Sequence, residues 1–262
     1  MKDDDDEDES RNPRFKTTVT HVIKGAAGSD GTHDPIARGK FCGRYWYPIY
    51  AFIRKSGHNE LDAKDLTQAF FVKFIMERDI LSSWDSEKGR LRNYLKAVVK
   101  HFLHDEYDRA KCVRRGGNVM ITSFDAIAAE ERYLCEPADD LSPDRCYDRA
   151  WAMSVLAESM RILDQKYARF GGEHQACYLA LRPLLDDTKA QSDEVEKVAT
   201  ALRLTPQYIA TRKHALRAEW KTIAREVVKK TLHNATDEEA LAELRRLVEF
   251  LQGGRQVGRS RN

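Results

Sequence analysis

One stretch in the last third of the chain lines up hydrogen-bonding side chains and cations on one helical face. It opens with Thr205-Pro206, a hydroxyl residue followed by proline, which is a typical start of a helix. The outward positions of the predicted helix are Gln207, Tyr208, Thr211, Arg212, His214 and Arg217, and Lys213 and Lys221 add further charge. Amide, hydroxyl and guanidinium groups in this arrangement can bond the base edges and phosphates of a nucleic acid.

The residues before Thr205 predict a second helix over Glu194–Leu202 and a short Arg203-Leu204 turn. Helix, tight turn and capped helix is the helix-turn-helix pattern. Within it, Arg212 and Arg217 are the candidates for guanine or phosphate contacts, because arginine makes bidentate contacts in the major groove. Many helical hairpins of soluble proteins share this pattern, so an ordinary hairpin with solvated cations is the alternative.

A second polar group lies on a predicted helix whose apolar stripe includes Leu91, Leu95 and Phe102. The members that face away from the stripe, or flank it, are Asn93, Lys96, Lys100, His101 and His104. Polar and aromatic side chains beside a basic surface can hold a base that has left the stack. The basic end of this segment adds Arg109, Lys111, Arg114 and Arg115 as candidates for DNA contact.

A third candidate surface is smaller. Asp65 and Gln68 are three residues apart in a predicted helix, so they share one face. A carboxylate and an amide there can pair with basic residues of a partner helix, while the alternative is that both are ordinary solvated residues.

Catalytic chemistry has weaker support. His101, His104, Asp105 and Glu106 could seat a metal ion on one helix, but no second ligand cluster accompanies them. The five cysteines contain no Cys-x-x-Cys pair, and no phosphate-binding glycine loop or nucleophile elbow is present. We therefore expect a protein that is not an enzyme and that uses no metal or cofactor.

Composition limits the fold and the partners. The chain has 262 residues, 44 basic and 42 acidic, and charged residues make up 33% of it, which favours exposed helices over strands. Seven consecutive acids, Asp3 to Glu9, leave a net charge of +8 on residues 10–262, which favours polyanionic partners. No apolar run is long enough to span a membrane, and the acidic N-terminus differs from the basic and then apolar regions that a signal peptide needs. We expect a cytoplasmic protein without a membrane partner.

The pattern along the chain predicts an all-α fold, with two small helical domains joined by a long linker. The predicted units are a disordered acidic lead-in at 1–34, a helical domain at 35–117, a linker at 118–147, a helix-turn-helix domain at 148–232, and a C-terminal helix with a basic tail at 233–262. A short helix is expected within the linker, around Ala126–Tyr133, and helices resume at about Asp148. The last helix, Thr236–Leu251, is expected to dock on the second domain or on a regulator.

The order of these pieces resembles the extracytoplasmic-function (ECF) type of the bacterial sigma-70 family, the sigma factors that direct RNA polymerase to promoters. The stretches that carry the resemblance are Tyr45–Arg54 with Asp62–Phe71, Gly89–Leu95 through Arg114–Gly117, and Val198–Thr205 through His214–Arg217. Within the first, Asp62-Ala63-Lys64-Asp65-Leu66-Thr67-Gln68 looks like the family's core-binding helix. The resemblance covers roughly residues 35–232.

The resemblance implies a transcription initiation factor and assigns roles to the candidate residues. Asp65 and Gln68 would bind the clamp coiled coil of core RNA polymerase, and the polar group around His101 would melt promoter DNA. The capped helix would read promoter DNA upstream of the melted element. An anti-sigma factor is a further candidate partner. The alternative is a stand-alone helix-turn-helix DNA-binding regulator that acts without polymerase.

Overall fold

A computed structural model describes residues 35–73, 84–85, 88–112, 124–135, 141–186, 192–232 and 235–252. Most of these residues are helical and none of them lies in a strand, as the all-α prediction requires. The helices, in chain order, are α1 Pro35–Lys55, α2 Glu60–Phe70, α3 Leu91–Cys112, α4 Phe124–Cys135, α5 Pro143–Phe170, α6 Gly172–Leu181, α7 Pro183–Asp186, α8 Ser192–Leu202, α9 Pro206–Lys229 and α10 Asp237–Gln252. The predicted acidic lead-in and the basic tail lie outside the described residues.

Helices α1, α2 and α3 bury their bulky apolar faces against one another. Tyr45, Ile49 and Ile53 recur at helical spacing along α1 and are almost fully buried, as the sequence pattern predicts. Helix α2 begins where the Asn59 side chain accepts a hydrogen bond from the Asp62 backbone N–H at 2.9 Å. Phe70 of α2 meets Phe102 of α3 edge to face, with ring centroids 5.7 Å apart.

The segment predicted as a linker is largely helical where it is described. Helix α4 confirms the short helix expected there, and α5 begins at Pro143 rather than at Asp148. The earlier start has a local cause: the Ser142 hydroxyl accepts a hydrogen bond from the Arg145 backbone N–H, and Pro143 occupies the first turn.

Helix α4 is tied to α1 by a partly buried ionic group. The Arg54 guanidinium donates to both oxygens of Glu130, at 2.8 and 3.0 Å, and the Tyr50 hydroxyl donates to the same carboxylate. The hydrogen bonds from Arg54 hold the pKa of Glu130 below its ordinary value of 4.5. A carboxylate with a lowered folded pKa contributes stability that is present above its unfolded pKa and is lost as the pH falls through the folded value.

We expect Glu130→Gln to lower the free energy of unfolding by about 2 kcal/mol at neutral pH, because charge-assisted hydrogen bonds are lost. The difference from wild type should shrink below pH 4.5, where protonation removes the same charge in the wild type. Urea unfolding at pH 7 and pH 3 measures both values. Glu131→Gln, at an exposed position of the same helix, is the matched control, and an equal loss in that variant would contradict the account.

One apolar cluster joins residues from both predicted domains. It contains Tyr50, Leu95 and Trp151, and it also includes Val227 of α9 and Leu247 of α10. A second cluster, around Leu163, Tyr178, Ile209 and Leu216, packs α9 against the second half of α5. The 28-residue helix α5 contributes to both clusters, so in the described part of the chain the two predicted domains pack on each other through it.

The C-terminal helix packs on α5 and α9, which is the docking in cis that the sequence left open. Helix α10 begins with a reciprocal cap. The Thr236 hydroxyl accepts from the Glu239 backbone N–H at 3.2 Å, and the Glu239 carboxylate accepts from the Thr236 backbone N–H at 2.8 Å. Throughout the described ranges, every helix is too short or too polar to cross a bilayer.

Candidate nucleic-acid interface

The start of α9 is fixed by its cap and by the turn before it. The Thr205 hydroxyl accepts a hydrogen bond from the Tyr208 backbone N–H at 3.2 Å, as the Thr-Pro pair predicts. Helix α8 ends because Arg203 has a left-handed backbone with φ 55°, and the Leu204 N–H then bonds the Ala199 carbonyl at 2.9 Å. The cap and the turn therefore fix both the residue at which α9 begins and the orientation of its first turns relative to α8.

The exposed face of α9 is polar and carries few charges in its first turns. Gln207, Tyr208, Thr211 and His214 are exposed there, and Lys221 is exposed further along. The Thr211 hydroxyl donates to the Gln207 carbonyl at 3.0 Å, which leaves its oxygen able to accept from outside. Lys213 is half-buried at the border of this face.

The two arginines predicted to contact DNA face the protein. The Arg217 guanidinium donates to the carbonyls of Leu184 and Leu185, at 2.7 and 3.2 Å, and so satisfies the end of the short helix α7. The Arg212 guanidinium donates to the Tyr167 hydroxyl at 3.5 Å and lies 6.0 Å from the centre of that ring. Both arginines therefore connect α9 to neighbouring helices, Arg212 to α5 and Arg217 to α7.

A polar network under α9 fixes its position on α5. The Trp220 indole N–H donates to the buried Ser159 hydroxyl at 2.8 Å. The Tyr167 hydroxyl donates to Glu219 at 3.0 Å, and this ring stacks on Tyr178 with centroids 4.4 Å apart. Buried, satisfied polar groups of this kind specify one packing, because any shift leaves a donor unpaired.

The Tyr178 hydroxyl extends the same network towards α6 and α7. It donates to Asp164 at 2.6 Å, and the Arg182 guanidinium donates to the same carboxylate at 2.6 and 3.1 Å. The hydrogen bonds from Arg182 hold the pKa of Asp164 below its ordinary value.

Two cations of α3, Lys96 and Lys100, are paired with carboxylates on another helix. Lys96 lies 2.9 Å from Asp148, and Lys100 lies 2.7 Å from Asp144, both at the start of α5. We call Arg90, Arg92, Lys96 and Lys100 the basic edge of α3. Its first two members, which the sequence interpretation left out, contact Glu243 of α10.

Asn93 follows Arg92 directly in the sequence. It is exposed, and with Tyr94 it lines a surface cavity of about 330 Å³ beside Trp84. The Trp84 indole N–H donates to the Gly89 carbonyl at 3.0 Å, which holds the ring over the turn that precedes α3. An amide and two aromatic rings around a cavity of this size can receive a planar group such as a base.

The remaining candidates of α3 are exposed or undescribed. His101 is exposed, and His104 contacts Asp108 at 3.3 Å, one turn on. Arg109 is paired with Glu106 at 2.7 Å. Nothing is described of the Lys111 side chain, and Arg114 and Arg115 lie outside the described residues. In the described ranges no three His, Cys, Asp or Glu side chains are placed to hold a metal ion.

The predicted protein-binding surface lies on α2. Asp65 is exposed, and Gln68 is half-buried one turn later. Leu61, one turn before Asp65, is 73% exposed and was missed by the sequence interpretation, although its spacing to Asp65 and Gln68 places it on the same face. A single exposed leucine is common on protein surfaces, so this candidate surface still depends on Asp65 and Gln68.

The described residues thus present an exposed polar face on α9, a paired basic edge on α3 and an exposed surface on α2. No family model, curated protein or solved structure matches the chain.

Proposed function

We propose that the chain is a sigma factor that binds core RNA polymerase and directs promoter recognition and DNA melting, without being an enzyme itself. The observation that carries the proposal is the order of three sequence stretches that resemble the core-binding, melting and promoter-reading parts of the ECF type. Each role is assigned to a different helix, and the partners are core polymerase, promoter DNA and, as a further candidate, an anti-sigma factor.

Three features of the described residues support the proposal. Asp65 is exposed where the resemblance puts the polymerase contact. Asn93 lines a cavity that can receive an unstacked base. Gln207 and Thr211 are exposed on the first turns of a capped helix, where an amide and a hydroxyl can read base edges.

A stand-alone DNA-binding regulator is the second candidate, and one observation favours it. The polar face of α9 is exposed in the free chain, whereas Lys96 and Lys100 are paired with carboxylates of α5. Selection of genomic DNA fragments by the chain, with and without bacterial core polymerase, distinguishes the two. A sigma factor enriches fragments only together with the polymerase, whereas a stand-alone regulator enriches the same fragments alone.

The exposed face of α9 leads to a prediction about two of its residues. We expect Lys221→Ala to weaken binding to all sequences alike, because lysine contacts phosphate. The slope of log affinity against log salt concentration should become shallower by about one. Gln207→Ala should instead relax the preference at one base position, at a cost of about 1–3 kcal/mol for the preferred site.

Binding of the holoenzyme to the selected fragments and to scrambled fragments, at several salt concentrations, checks both expectations. Glu226→Gln, at an exposed position further along α9, is the control. If Gln207→Ala weakened all sequences equally, its assignment as a base-reading residue would be wrong.

A further inference from the structure

The basic edge of α3 is covered by carboxylates from two other helices. Arg90 lies 2.6 Å from Glu243, and Arg92 lies 3.0 Å from the same carboxylate and 3.0 Å from Asp148. With the Lys96 and Lys100 pairs, each of these four cations has an acidic partner on α5 or α10. Each of these cations, which could otherwise pair with a phosphate, is thus paired with a carboxylate.

Burial is deepest at the contact with α10. The Glu243 side chain is 0% exposed and that of Arg92 is 6% exposed, while Lys100, at the other end of the edge, is 51% exposed. The Arg92 guanidinium lies 4.9 Å from the Trp151 ring and 5.0 Å from the Phe250 ring. Glu243 is therefore the carboxylate that Arg90 and Arg92 share, and Arg92 is also paired with Asp148.

The rest of α10 is attached through apolar side chains. Ala240 and Leu247 are buried, Leu244, Phe250 and Leu251 pack partly buried against the first cluster, and Leu241 and Val248 are 41% and 45% exposed. Docking removes water from the charges that it buries, and this desolvation cost offsets much of the attraction within an ion pair. A polyanion that paired with Arg90 and Arg92 would replace the ionic part of this attachment and shift the docking equilibrium of α10.

We propose that α10 is a displaceable cover for the basic edge of α3, in which Glu243 occupies the place of a nucleic-acid phosphate. This rests on the proposed function, in which α3 contacts DNA. While α10 is docked, Arg90 and Arg92 are withheld from DNA. DNA phosphates compete with Glu243, so binding and release of α10 are coupled.

The test is the affinity of the full chain for a labelled 30-base-pair DNA duplex, without polymerase, by fluorescence anisotropy at low salt. We expect Glu243→Gln to bind at least tenfold more tightly than wild type. Glu249→Gln is the matched control, because it removes the same charge from an exposed position of the same helix. Its affinity should change less than twofold.

A second measurement covers the case in which Glu243→Gln loses helical structure. Hydrogen exchange of the wild-type chain should speed up in residues 237–252 when the duplex is added. The proposal would be overturned if both variants gained DNA affinity equally or if neither bound the duplex. Unchanged hydrogen exchange in residues 237–252 would also overturn it. Loss of polymerase binding would count against the proposed function alone, since this test contains no polymerase.

Discussion

Replacing Asp65 by arginine is expected to abolish binding to bacterial core RNA polymerase and to leave the helical content of the chain unchanged. Asp65 is exposed in the middle of α2, so reversing its charge disturbs no packing in the described residues. Under the proposed function, the carboxylate would pair with basic residues on the clamp coiled coil of core RNA polymerase, and a like charge in its place costs several kcal/mol. The affinity should fall by about 100-fold or more.

The effect is measured by immobilising core polymerase and titrating each variant. Asp105→Arg is the matched control, since Asp105 is also exposed on a helix but lies on α3, away from the predicted contact. Circular dichroism verifies that both variants are folded. Wild-type affinity in the Asp65→Arg variant would remove α2 from its proposed role, and an equal loss in both variants would indicate a non-specific charge effect.

Replacing Trp151 by alanine is expected to destabilise both predicted domains together. The Trp151 side chain is 1% exposed, and its cluster contains residues of α1, α3, α9 and α10. Truncating a buried tryptophan costs about 3–5 kcal/mol, through lost transfer energy and the cavity that remains. The Arg92 guanidinium also loses the ring on which it rests.

The prediction is checked by urea unfolding, followed by circular dichroism and by hydrogen exchange in α1 and α9. We expect one cooperative unfolding transition in the wild type. In the variant, the unfolding of both α1 and α9 should move to lower urea concentration. Phe170→Ala is the control, because Phe170 is 60% exposed at the end of the same helix, and it should cost about 1 kcal/mol or less. Two separate transitions, with only α1 shifted, would contradict a shared core.

The local structure around α9 and α10 follows closely from the sequence. Thr205-Pro206 predicts the start of α9, and the Thr205 hydroxyl makes the expected cap. The last helix, expected over Thr236–Leu251, spans Asp237–Gln252 with Thr236 as its capping residue. Helix starts are predictable because capping is a contact between residues three apart.

The partners of charged side chains are not predictable in the same way. Helical spacing places Arg212 and Arg217 outside the apolar stripe, but it does not show that α5 and α7 cover that side of α9. Likewise, Lys96 pairs with a carboxylate of α5, and Arg92 pairs with carboxylates of α5 and α10. A long side chain can reach a partner on any neighbouring helix, so its contact depends on the tertiary packing, which periodicity does not encode.

The predicted linker shows the same limit. Its polar and proline-containing sequence indicates a break between domains, and the Ser142-Pro143 pair is in fact the start of a long helix. The first half of that helix then packs in a cluster with Ile49, and the second half packs in a cluster with Leu216, both distant in sequence. Composition marks where a helix can begin, while the sharing of one core between two halves is a property of the assembled fold.

The central claim is that the chain binds bacterial core RNA polymerase, and size-exclusion chromatography of the purified chain mixed with core enzyme tests it most directly. We expect the wild-type chain to elute with the polymerase and the Asp65→Arg variant to elute alone. If the folded, monodisperse wild-type chain eluted apart from the polymerase, the sigma-factor proposal would be contradicted, and the stand-alone DNA-binding regulator would take its place.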